Sequence, residues 1–228
     1  MATVAITGAG RGIGLELTRQ HLAAGDQVFA LVRNPQGAAA LADLAVSSDG
    51  RLTVHPMDVA DEASVRAGAA QCGTAPIDIL YNVAGVGGSP APELESSDWA
   101  EWDEIFRIMV QGPLRVLQAF LPRLNAGAKV INISSQLGAS TWPYGGHYAY
   151  AASKAALNRL MRSVATDLKP SGVIVGLVHP GWVQTEMGGA GADITPTQSA
   201  QGIRQVAADW TLEQSGDFMN WNGTPHAW

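Results

Sequence analysis

Short runs of apolar, mostly β-branched residues alternate along the chain with longer segments whose apolar residues recur at helical spacing. The short runs are nearly continuous, which is typical of strands buried on both faces of a parallel sheet. They predict six strands, at Ala2–Thr7, Gln27–Arg33, Leu52–Asp58, Ile77–Asn82, Lys129–Ser134 and Val173–Val178.

The longer segments predict helices at Gly12–Ala24, Gln36–Ala45, Glu62–Gln71, Asp98–Leu124, Ala149–Leu168 and Thr197–Thr211. Asp61 is a predicted N-cap, and Thr195 followed by Pro196 is typical of a cap with a first-turn proline. The regular alternation of strands and helices predicts an α/β fold. We expect a doubly wound parallel sheet with right-handed crossovers and helices on both faces.

Two stretches rich in glycine and proline, Gly85–Pro92 and Gly188–Pro196, are predicted to be loops over the strand ends. The carboxyl ends of parallel strands are where this kind of sheet binds its ligand. A length of 228 residues suits one domain, so we expect residues 1–228 to form a single folded unit.

Composition narrows the possible functions. The net charge of −6 provides no positive field, so neither nucleic acid nor a membrane is expected as a partner. The five histidines are dispersed and the single cysteine, Cys72, has no disulfide partner, so we expect no metal site and a reducing compartment. The first residues do not resemble a signal peptide, and no apolar run approaches the roughly 18 residues of a membrane span. A soluble, cytoplasmic protein is the expectation.

The first predicted strand leads directly into the segment Thr7–Gly14, TGAGRGIG, which a helical pattern follows. Glycines let a backbone turn sharply and approach a pyrophosphate, and a helix N-terminus offers free N–H groups and partial positive charge. The spacing is GxxxGxG, at Gly8, Gly12 and Gly14. An ordinary tight turn is the alternative, but the position after the first strand of a strand–helix series favours a nucleotide site.

The second predicted strand ends without an acidic residue. A cofactor with a free ribose 2′-hydroxyl usually meets an Asp or Glu at this point, whereas residues 31–34 are LVRN. Arg33, helped by Arg11, can instead hold a 2′-phosphate through paired hydrogen bonds. The sequence therefore favours NADP(H) over NAD(H), and a solvated surface arginine is the alternative interpretation of Arg33.

Tyr150 and Lys154 stand four residues apart at the start of a strong helical pattern, so their side chains lie on one face of the helix. An ammonium beside a phenol lowers the phenol's pKa from its usual value of about 10, and such a phenol exchanges a proton with a carbonyl or alcohol oxygen. Ser135, after the fifth strand, can hold that oxygen. An incidental helix pair and a strand-end turn serine are the alternatives for each feature taken alone.

Together these motifs resemble the short-chain dehydrogenase/reductase (SDR) family over nearly the whole chain, and within it most the C-factor/sniffer-like carbonyl reductases. The matching segments are TGAGRGIG, NVAG (Asn82–Gly85) in place of NNAG, the serine with YxxxK, and the PG segment that begins at Pro180. The resemblance implies a seven-stranded parallel sheet in Rossmann order, with Asp217–Trp221 as the candidate final edge strand. It also implies a homodimer or homotetramer.

The resemblance further implies a role for each matching residue. Ser135 orients the substrate oxygen, Tyr150 is the acid/base, and Lys154 lowers the pKa of Tyr150 and contacts the nicotinamide ribose. The candidate cofactor-binding residues, besides Tyr150 and Lys154, are Gly8, Gly10, Arg11, Gly12, Ile13, Gly14, Arg33, Asp58, Val59, Asn82, Ala84, Gly85, Pro180, Gly181, Val183 and Thr185.

One position departs from the family pattern. Family members usually have an Asn in the fourth helix, where it helps to hold a water for proton relay, and aligning FRIMVQGPL places Met109 there. Methionine cannot supply the hydrogen bonds of an amide. Either a neighbour or a distorted backbone compensates, or proton relay is slower. The alternative function is therefore a cofactor-binding sensor or signalling protein of the C-factor type with weak turnover.

The leading functional prediction is an NADPH-dependent carbonyl reductase for a small carbonyl or alcohol substrate. Trp142 and Trp182 are candidates for the walls of an apolar substrate pocket, with core packing as the alternative, and residues 186–196 are the candidate substrate loop. A reductase of carrier-bound acyl chains would need a basic docking patch, which the net charge of −6 disfavours.

Overall fold

A computed structural model of the chain describes residues 1–88 and 96–228. Seven strands in these residues form one sheet, in which every neighbouring pair is parallel. The order across the sheet is β3-β2-β1-β4-β5-β6-β7, which confirms the expected doubly wound parallel sheet. The strands are β1 (Thr3–Thr7), β2 (Gln27–Val32), β3 (Leu52–Pro56), β4 (Ile79–Asn82), β5 (Lys129–Ile133), β6 (Ile174–His179) and β7 (Phe218–Asn220).

Helices pack on both faces of the sheet and divide the core into two layers. One layer joins the sheet to α1, α2 and α7, and the other joins it to α3, α5 and α6. The helices in the described residues are α1 (Gly12–Ala23), α2 (Ala39–Ser47), α3 (Glu62–Gln71), α4 (Trp99–Phe106), α5 (Gly112–Phe120), α6 (Tyr148–Leu168) and α7 (Pro196–Asp209). No helix in the described part of the chain has both the length and the apolar character of a membrane span.

The predicted helix starts are confirmed where a cap was identified. The Asp61 carboxylate accepts a hydrogen bond from the Ser64 N–H at the start of α3. Thr195 and Gln198 form a reciprocal capping box before α7, with Pro196 in its first turn. These caps satisfy N–H groups that a helix start leaves without a partner.

The prediction of one continuous helix at Asp98–Leu124 is wrong in its middle. A π turn at Arg107–Gln111 separates α4 from α5, and the Gly112 N–H donates to the Arg107 carbonyl. Pro113 has no N–H, so the carbonyl of Met109 lacks the donor that an α-helix would bring to it. The proline thus gives a physical reason for the distortion, and it places that distortion at Met109.

Other predicted boundaries differ from the observed ones by a few residues. Strand β2 ends at Val32, so Arg33 lies just beyond it, and β7 is shorter than the predicted Asp217–Trp221. The predicted loop Gly85–Pro92 has no regular structure at residues 85–88, and its remaining residues lie outside the described part of the chain. The loop Gly188–Pro196 is observed as far as Thr195.

Candidate active site

The turn between β1 and α1 is closed by contacts that leave no room for a side chain. A Cβ atom on Gly14 would lie 2.3 Å from the Gly8 carbonyl oxygen, and one on Gly8 would lie 2.8 Å from the Ala84 Cα. The Thr7 hydroxyl accepts hydrogen bonds from the N–H groups of Val83 and Ala84, at 3.0 and 3.2 Å. The glycine turn and the NVAG loop therefore form one cradle at the carboxyl ends of β1 and β4.

The start of α1 fits an anionic group. Arg11 occupies the N-cap position without a capping side chain, and the first turn of α1 carries no acidic residue. The N–H groups at such a start, together with the helix dipole, favour a phosphate. The missing Cβ atoms let the turn close tightly in front of the start of α1, so these residues fit the dinucleotide phosphates of a nicotinamide cofactor.

The arginines predicted to meet a 2′-phosphate lie in different surroundings. Arg33 is exposed directly after β2 and forms no ion pair within the described residues. Arg11 is also exposed, but it pairs with Glu186 of the candidate substrate loop. Gly12 lies near Thr185, directly before that loop, and a Cβ on Gly12 would lie 3.2 Å from the threonine methyl group. The loop after β6 thus reaches across to the glycine turn, a contact that the spacing of motifs did not predict.

Two of the candidate cofactor-binding residues, Asp58 and Val59, lie directly after β3. The Asp58 carboxylate accepts a hydrogen bond of 2.9 Å from the Ala60 N–H. Val59 is buried, and its side chain packs within 3.1 Å of the position of a Cβ on Gly112. Both residues therefore help to shape the turn that follows β3.

The side chain of Asn82 is turned into the sheet. It is buried and donates a hydrogen bond of 2.9 Å to the Asn132 side-chain oxygen on β5. Asn132 in turn donates to the Gly176 carbonyl on β6 at 3.1 Å. Within the NVAG loop, a Cβ on Gly85 would lie 2.9 Å from the Met109 sulfur. The Asn82 amide therefore connects strands, whereas the backbone of Ala84 lies against Gly8 of the cradle and Gly85 lies against Met109.

Met109 is buried, and its side chain makes a polar contact. Its sulfur accepts a hydrogen bond of 3.3 Å from the Val86 N–H. A thioether is a weak acceptor and has no donor, so it replaces at most part of what an amide offers. The distorted backbone that was one of the expected compensations is present, as the π turn.

Ser135, Tyr150 and Lys154 are brought together where the end of β5 meets the start of α6. The Lys154 ammonium donates a hydrogen bond of 2.6 Å to the Ile133 carbonyl, and its nitrogen lies 5.7 Å from the centre of the Tyr150 ring. Gly138 makes this approach possible, because its Cβ would lie 2.7 Å from the Lys154 carbonyl carbon. All three predicted catalytic side chains thus occupy one region at the rim of the sheet.

Burial dominates the electrostatics of this region in the protein without cofactor. It lowers the pKa of Lys154 to about 7. It raises the pKa of Tyr150, and hydrogen bonding with the Ser135 hydroxyl acts in the opposite direction. In the protein without cofactor, burial therefore opposes the effect expected of Lys154 on the pKa of Tyr150, because burial disfavours the ammonium that would lower that pKa.

The PG segment is held by the elements around it. The Ser199 hydroxyl on α7 donates a hydrogen bond of 2.7 Å to the Pro180 carbonyl. Gly181 has a φ of +85° and packs against Trp221, whose indole nitrogen would lie 3.1 Å from a Cβ. Val183 is buried and forms a parallel bridge with Ile194.

Both candidate pocket tryptophans lie in loops, so core packing does not account for them. Trp182 is 50% exposed, and its indole N–H donates a hydrogen bond of 2.9 Å to the Gly188 carbonyl. Trp142 is half-buried and meets Tyr144 edge to face at 5.1 Å. Their role as walls of a substrate pocket stays a prediction.

Two side chains near the site were not predicted. The His179 Nδ1 atom accepts a hydrogen bond of 3.2 Å from the Gln136 N–H, next to Ser135. The Asn158 side chain accepts a hydrogen bond of 2.5 Å from the Ser134 hydroxyl. Only their positions in the sequence could have pointed to them, since His179 directly precedes Pro180 and Asn158 lies one helical turn after Lys154. No group of three or more metal-binding side chains occurs in the described residues.

Comparisons with known proteins agree with this geometry. Residues 2–194 match the family model described as short chain dehydrogenase. The chain is 42% identical over 167 residues to C-signal of Myxococcus xanthus, which covers 72% of this chain and all of that protein. It is 36% identical to 1-hydroxy-2-glutathionyl-2-methyl-3-butene dehydrogenase of Rhodococcus sp. (strain AD45), over the full length of both chains.

Solved structures lead to the same family. An NADPH-bound carbonyl reductase from chicken fatty liver has a TM-score of 0.92 and 34% identity, and the match covers 100% of this chain and 99% of that one. Carbonyl reductase Sniffer of D. melanogaster has a TM-score of 0.94 and 29% identity over both whole chains. The protein thus belongs to the short-chain dehydrogenase/reductase family, as an NAD(P)-dependent oxidoreductase similar to C-signal and to the carbonyl reductases.

Proposed function

We propose that this protein is an NADPH-dependent carbonyl reductase that interconverts a small-molecule carbonyl compound and its alcohol. The observation that carries the proposal is the meeting of Ser135, Tyr150 and Lys154 beside the glycine cradle, at the carboxyl edge of the sheet. The similarity to structures of carbonyl reductases supports the same substrate class.

The bound nicotinamide supplies the hydride for carbonyl reduction. The cradle around Gly8 and Gly14 would hold its phosphates, and Lys154 would hold its ribose. Tyr150 donates a proton to the substrate oxygen, which the Ser135 hydroxyl orients. A protonated Lys154 stabilises the phenolate that is left after this transfer. Because burial raises the pKa of Tyr150, the phenol is in its proton-donating form at neutral pH, which suits reduction.

The preference for NADPH rests on the end of β2. Exposed Arg33 follows Val32 where an acidic residue would favour NADH, and its guanidinium can hold a 2′-phosphate. We expect Arg33→Asp to weaken NADPH binding and spare NADH binding, measured by titration of both cofactors. An unchanged cofactor ratio would contradict this assignment.

The proposal extends to the state of the protein in the cell. We propose one catalytic domain over residues 1–228, with residues 186–196 as its substrate loop, because one sheet uses strands from both ends of the chain. A cytoplasmic location and assembly into a homodimer or homotetramer are proposed with it. Light scattering of the purified protein measures the assembly state.

Tyr150→Phe tests the proposed chemistry. The variant removes the transferable proton and little else, so we expect turnover to fall by at least a hundredfold, in line with the loss of a general acid, while NADPH binding persists. The measurement follows NADPH absorbance with a panel of aldehydes, ketones and quinones. Tyr148→Phe, on the same helix but without a lysine four residues later, is the matched control and should retain wild-type turnover.

The panel also separates the two functional hypotheses. A sensor or signalling protein, which the similarity to C-signal keeps as the second candidate, would bind NADPH tightly and turn over the members of the panel only weakly. Turnover that depends on Tyr150 supports the reductase. Wild-type turnover in Tyr150→Phe would refute the assignment of the acid.

A further inference from the structure

A polar cavity adjoins the candidate active site on the side of β7. It has a volume of about 320 Å³. It lies between the end of β6, the PG segment and the turn after β7, and its lining includes Gln136, His179, Trp182, Asp193, Trp221 and Asn222. Gln136 directly follows Ser135, and Trp182 belongs to the PG segment. The cavity therefore begins next to the serine that is proposed to orient the substrate oxygen.

The walls of the cavity are fixed by backbone hydrogen bonds. The Trp221 N–H donates to the His179 carbonyl at 2.8 Å, which joins the turn after β7 to the end of β6. The Ile194 N–H donates to the Trp182 carbonyl at 3.1 Å, and the Gln184 N–H donates to the Ile194 carbonyl at 2.8 Å. The two sides are thus built from ordered segments.

His179 presents a defined hydrogen-bond donor in this lining. Its side chain is 8% exposed, and its Nδ1 atom accepts from the Gln136 N–H. An imidazole nitrogen that accepts from an N–H carries no proton, so the proton of the neutral ring is on Nε2. Burial, with a smaller contribution from His226, lowers the pKa of His179 to about 4, which keeps the ring neutral near pH 7. Nε2 has no hydrogen-bond partner among residues 1–88 and 96–228.

A donor that lines a cavity and has no protein partner is free to bind solvent or a ligand. The charged group of this lining is the exposed carboxylate of Asp193, which repels an anion. The indoles of Trp182 and Trp221 offer apolar surface beside these polar groups. A neutral substituent that accepts a hydrogen bond can bind the His179 donor without being repelled by Asp193. If it is carried on a flat ring, that ring can pack on the indoles.

We propose that this cavity is a subsite for an uncharged polar substituent of the substrate, such as a carboxamide or a hydroxyl group, whose oxygen accepts a hydrogen bond from His179. The subsite rests on the proposed function, because it selects among carbonyl compounds that the site of Tyr150 reduces. His179 is then a specificity-determining residue, and Asp193 disfavours substrates with a carboxylate at the same place.

Two substitutions of His179 separate its two hydrogen bonds. In His179→Asn, the amide oxygen takes the place of Nδ1 and keeps the bond from Gln136, but the donor at Nε2 is lost. In His179→Gln, the longer amide keeps a donor near Nε2 and loses the acceptor near the backbone. His55→Asn is the matched control, because His55 on β3 bonds with Thr53 and Gln71, away from the cavity.

The decisive measurement is calorimetric binding of benzyl alcohols to the NADPH-saturated protein, in which no reaction occurs because both partners are reduced. The probes carry a methyl, carboxamide or carboxylate group at the meta or para position. We expect the carboxamide to bind roughly fivefold more tightly than the methyl probe, as one neutral hydrogen bond provides, and the carboxylate to bind more weakly than the carboxamide. His179→Asn should lose the preference, whereas His179→Gln and His55→Asn should keep it.

Equal binding of the methyl and carboxamide probes to the wild type would overturn the subsite. So would a preference that is lost in His179→Gln and kept in His179→Asn, since that pattern assigns His179 to holding Gln136. Turnover of the matching aldehydes distinguishes the two proposals. A carboxamide preference in binding without any carbonyl turnover contradicts only the reductase, and turnover without the preference contradicts only the subsite.

Discussion

At the scale of single residues, Lys154 is a side chain whose proposed role in catalysis lowers the stability of the folded state. The ammonium is buried with one carbonyl partner, that of Ile133, and burial lowers its pKa to about 7. A buried cation without an anionic partner destabilises the folded state. The proposed reaction nevertheless needs a positive group beside the Tyr150 phenol, so under this proposal the side chain serves the reaction and not the fold.

We therefore expect Lys154→Met to raise the melting temperature of the cofactor-free protein at pH 7 while abolishing turnover. The stabilisation should be about 1–4 kcal/mol, by analogy with the range seen when buried ion pairs are replaced by apolar groups of similar size. Calorimetry gives the melting temperature, and NADPH absorbance gives the turnover. Lys169→Met, which removes an exposed lysine at the end of α6, should leave both nearly unchanged.

The pH dependence of this difference has a defined sign. Between pH 7 and the unfolded value of 10.5, the unfolded state holds a proton that the folded state has released from Lys154. Wild-type stability therefore rises with pH in this window, and the advantage of Lys154→Met should shrink as pH rises from 7 toward 10. An advantage that is constant over this range would mean that lost packing, not charge, explains the variant.

At the scale of elements, the π turn between α4 and α5 explains how the chain tolerates Met109. Proton relay in the family was expected to need an Asn side chain at this position. Pro113 removes the donor that an α-helix would bring to the Met109 carbonyl, so this main-chain oxygen lacks its α-helical partner whatever the side chain. The backbone can thus supply the polar group that methionine lacks.

Two substitutions test the role of the backbone in this turn. Met109→Asn should keep or raise turnover, because the amide adds hydrogen bonds without changing the proline. Pro113→Ala should lower turnover severalfold, because it restores an N–H that can close a regular α-helix over the Met109 carbonyl. Steady-state kinetics with NADPH and the best carbonyl substrate measure both. A large loss in Met109→Asn alone would show that the thioether has its own role, such as holding Val86.

The segment after β7 covers the free edge of the sheet. The Asn220 N–H donates to the Thr224 carbonyl at 2.7 Å, and the His226 N–H donates to the Phe218 carbonyl at 2.8 Å. The ring of Trp228 packs on Phe218 and receives the Arg162 guanidinium of α6 at 4.8 Å. These contacts satisfy backbone groups that an exposed edge strand would offer to another chain.

Removal of residues 224–228 should therefore lower the melting temperature and promote association beyond that of the full-length protein. The edge of β7 would lose its partner, and the apolar ring of Phe218 would lose part of its cover. Thermal melts and light scattering over a range of protein concentrations measure the two effects. Unchanged values in both would show that the segment does not protect the edge.

At the scale of the whole molecule, two buried histidines make the fold sensitive to acid. The side chain of His21 on α1 packs against the sheet. Its Nδ1 contacts the Asp26 carboxylate at 2.8 Å, and its Nε2 contacts the Tyr81 hydroxyl at 3.2 Å. Burial lowers the pKa of His21 in spite of this carboxylate, and it lowers that of His179 to about 4. Both rings are thus neutral in the folded protein near pH 7.

Unfolding free energy should fall as pH drops below about 6.5. In that range the unfolded chain binds protons at these histidines and the folded protein does not, which costs about 1.4 kcal/mol per pH unit for each proton difference. Guanidinium unfolding at pH 7, 6 and 5 measures the slope. His21→Gln should reduce the slope even though it lowers stability at pH 7.

The strands, most helices and the catalytic motifs could be predicted because each depends on residues that are close in sequence. Continuous apolar runs define the strands of a two-layer core, a proline and a capping pair define the start of α7, and a spacing of four places Tyr150 and Lys154 on one helix face. The glycine motif is equally local as a pattern, since its three glycines lie within eight residues, although Gly8 also packs against the distant Ala84.

Contacts between distant residues were not predictable in this way. The pairing of Arg11 with Glu186, the cavity at His179 and the covering of β7 by its own tail arise where the sheet brings remote segments to one edge. The pKa values of Tyr150 and Lys154 belong to the same group, because burial depends on everything packed around a side chain and here it outweighs the effect of the neighbour in sequence. Local pattern thus establishes which chemistry the chain carries, whereas packing sets the protonation of its groups and the space around them.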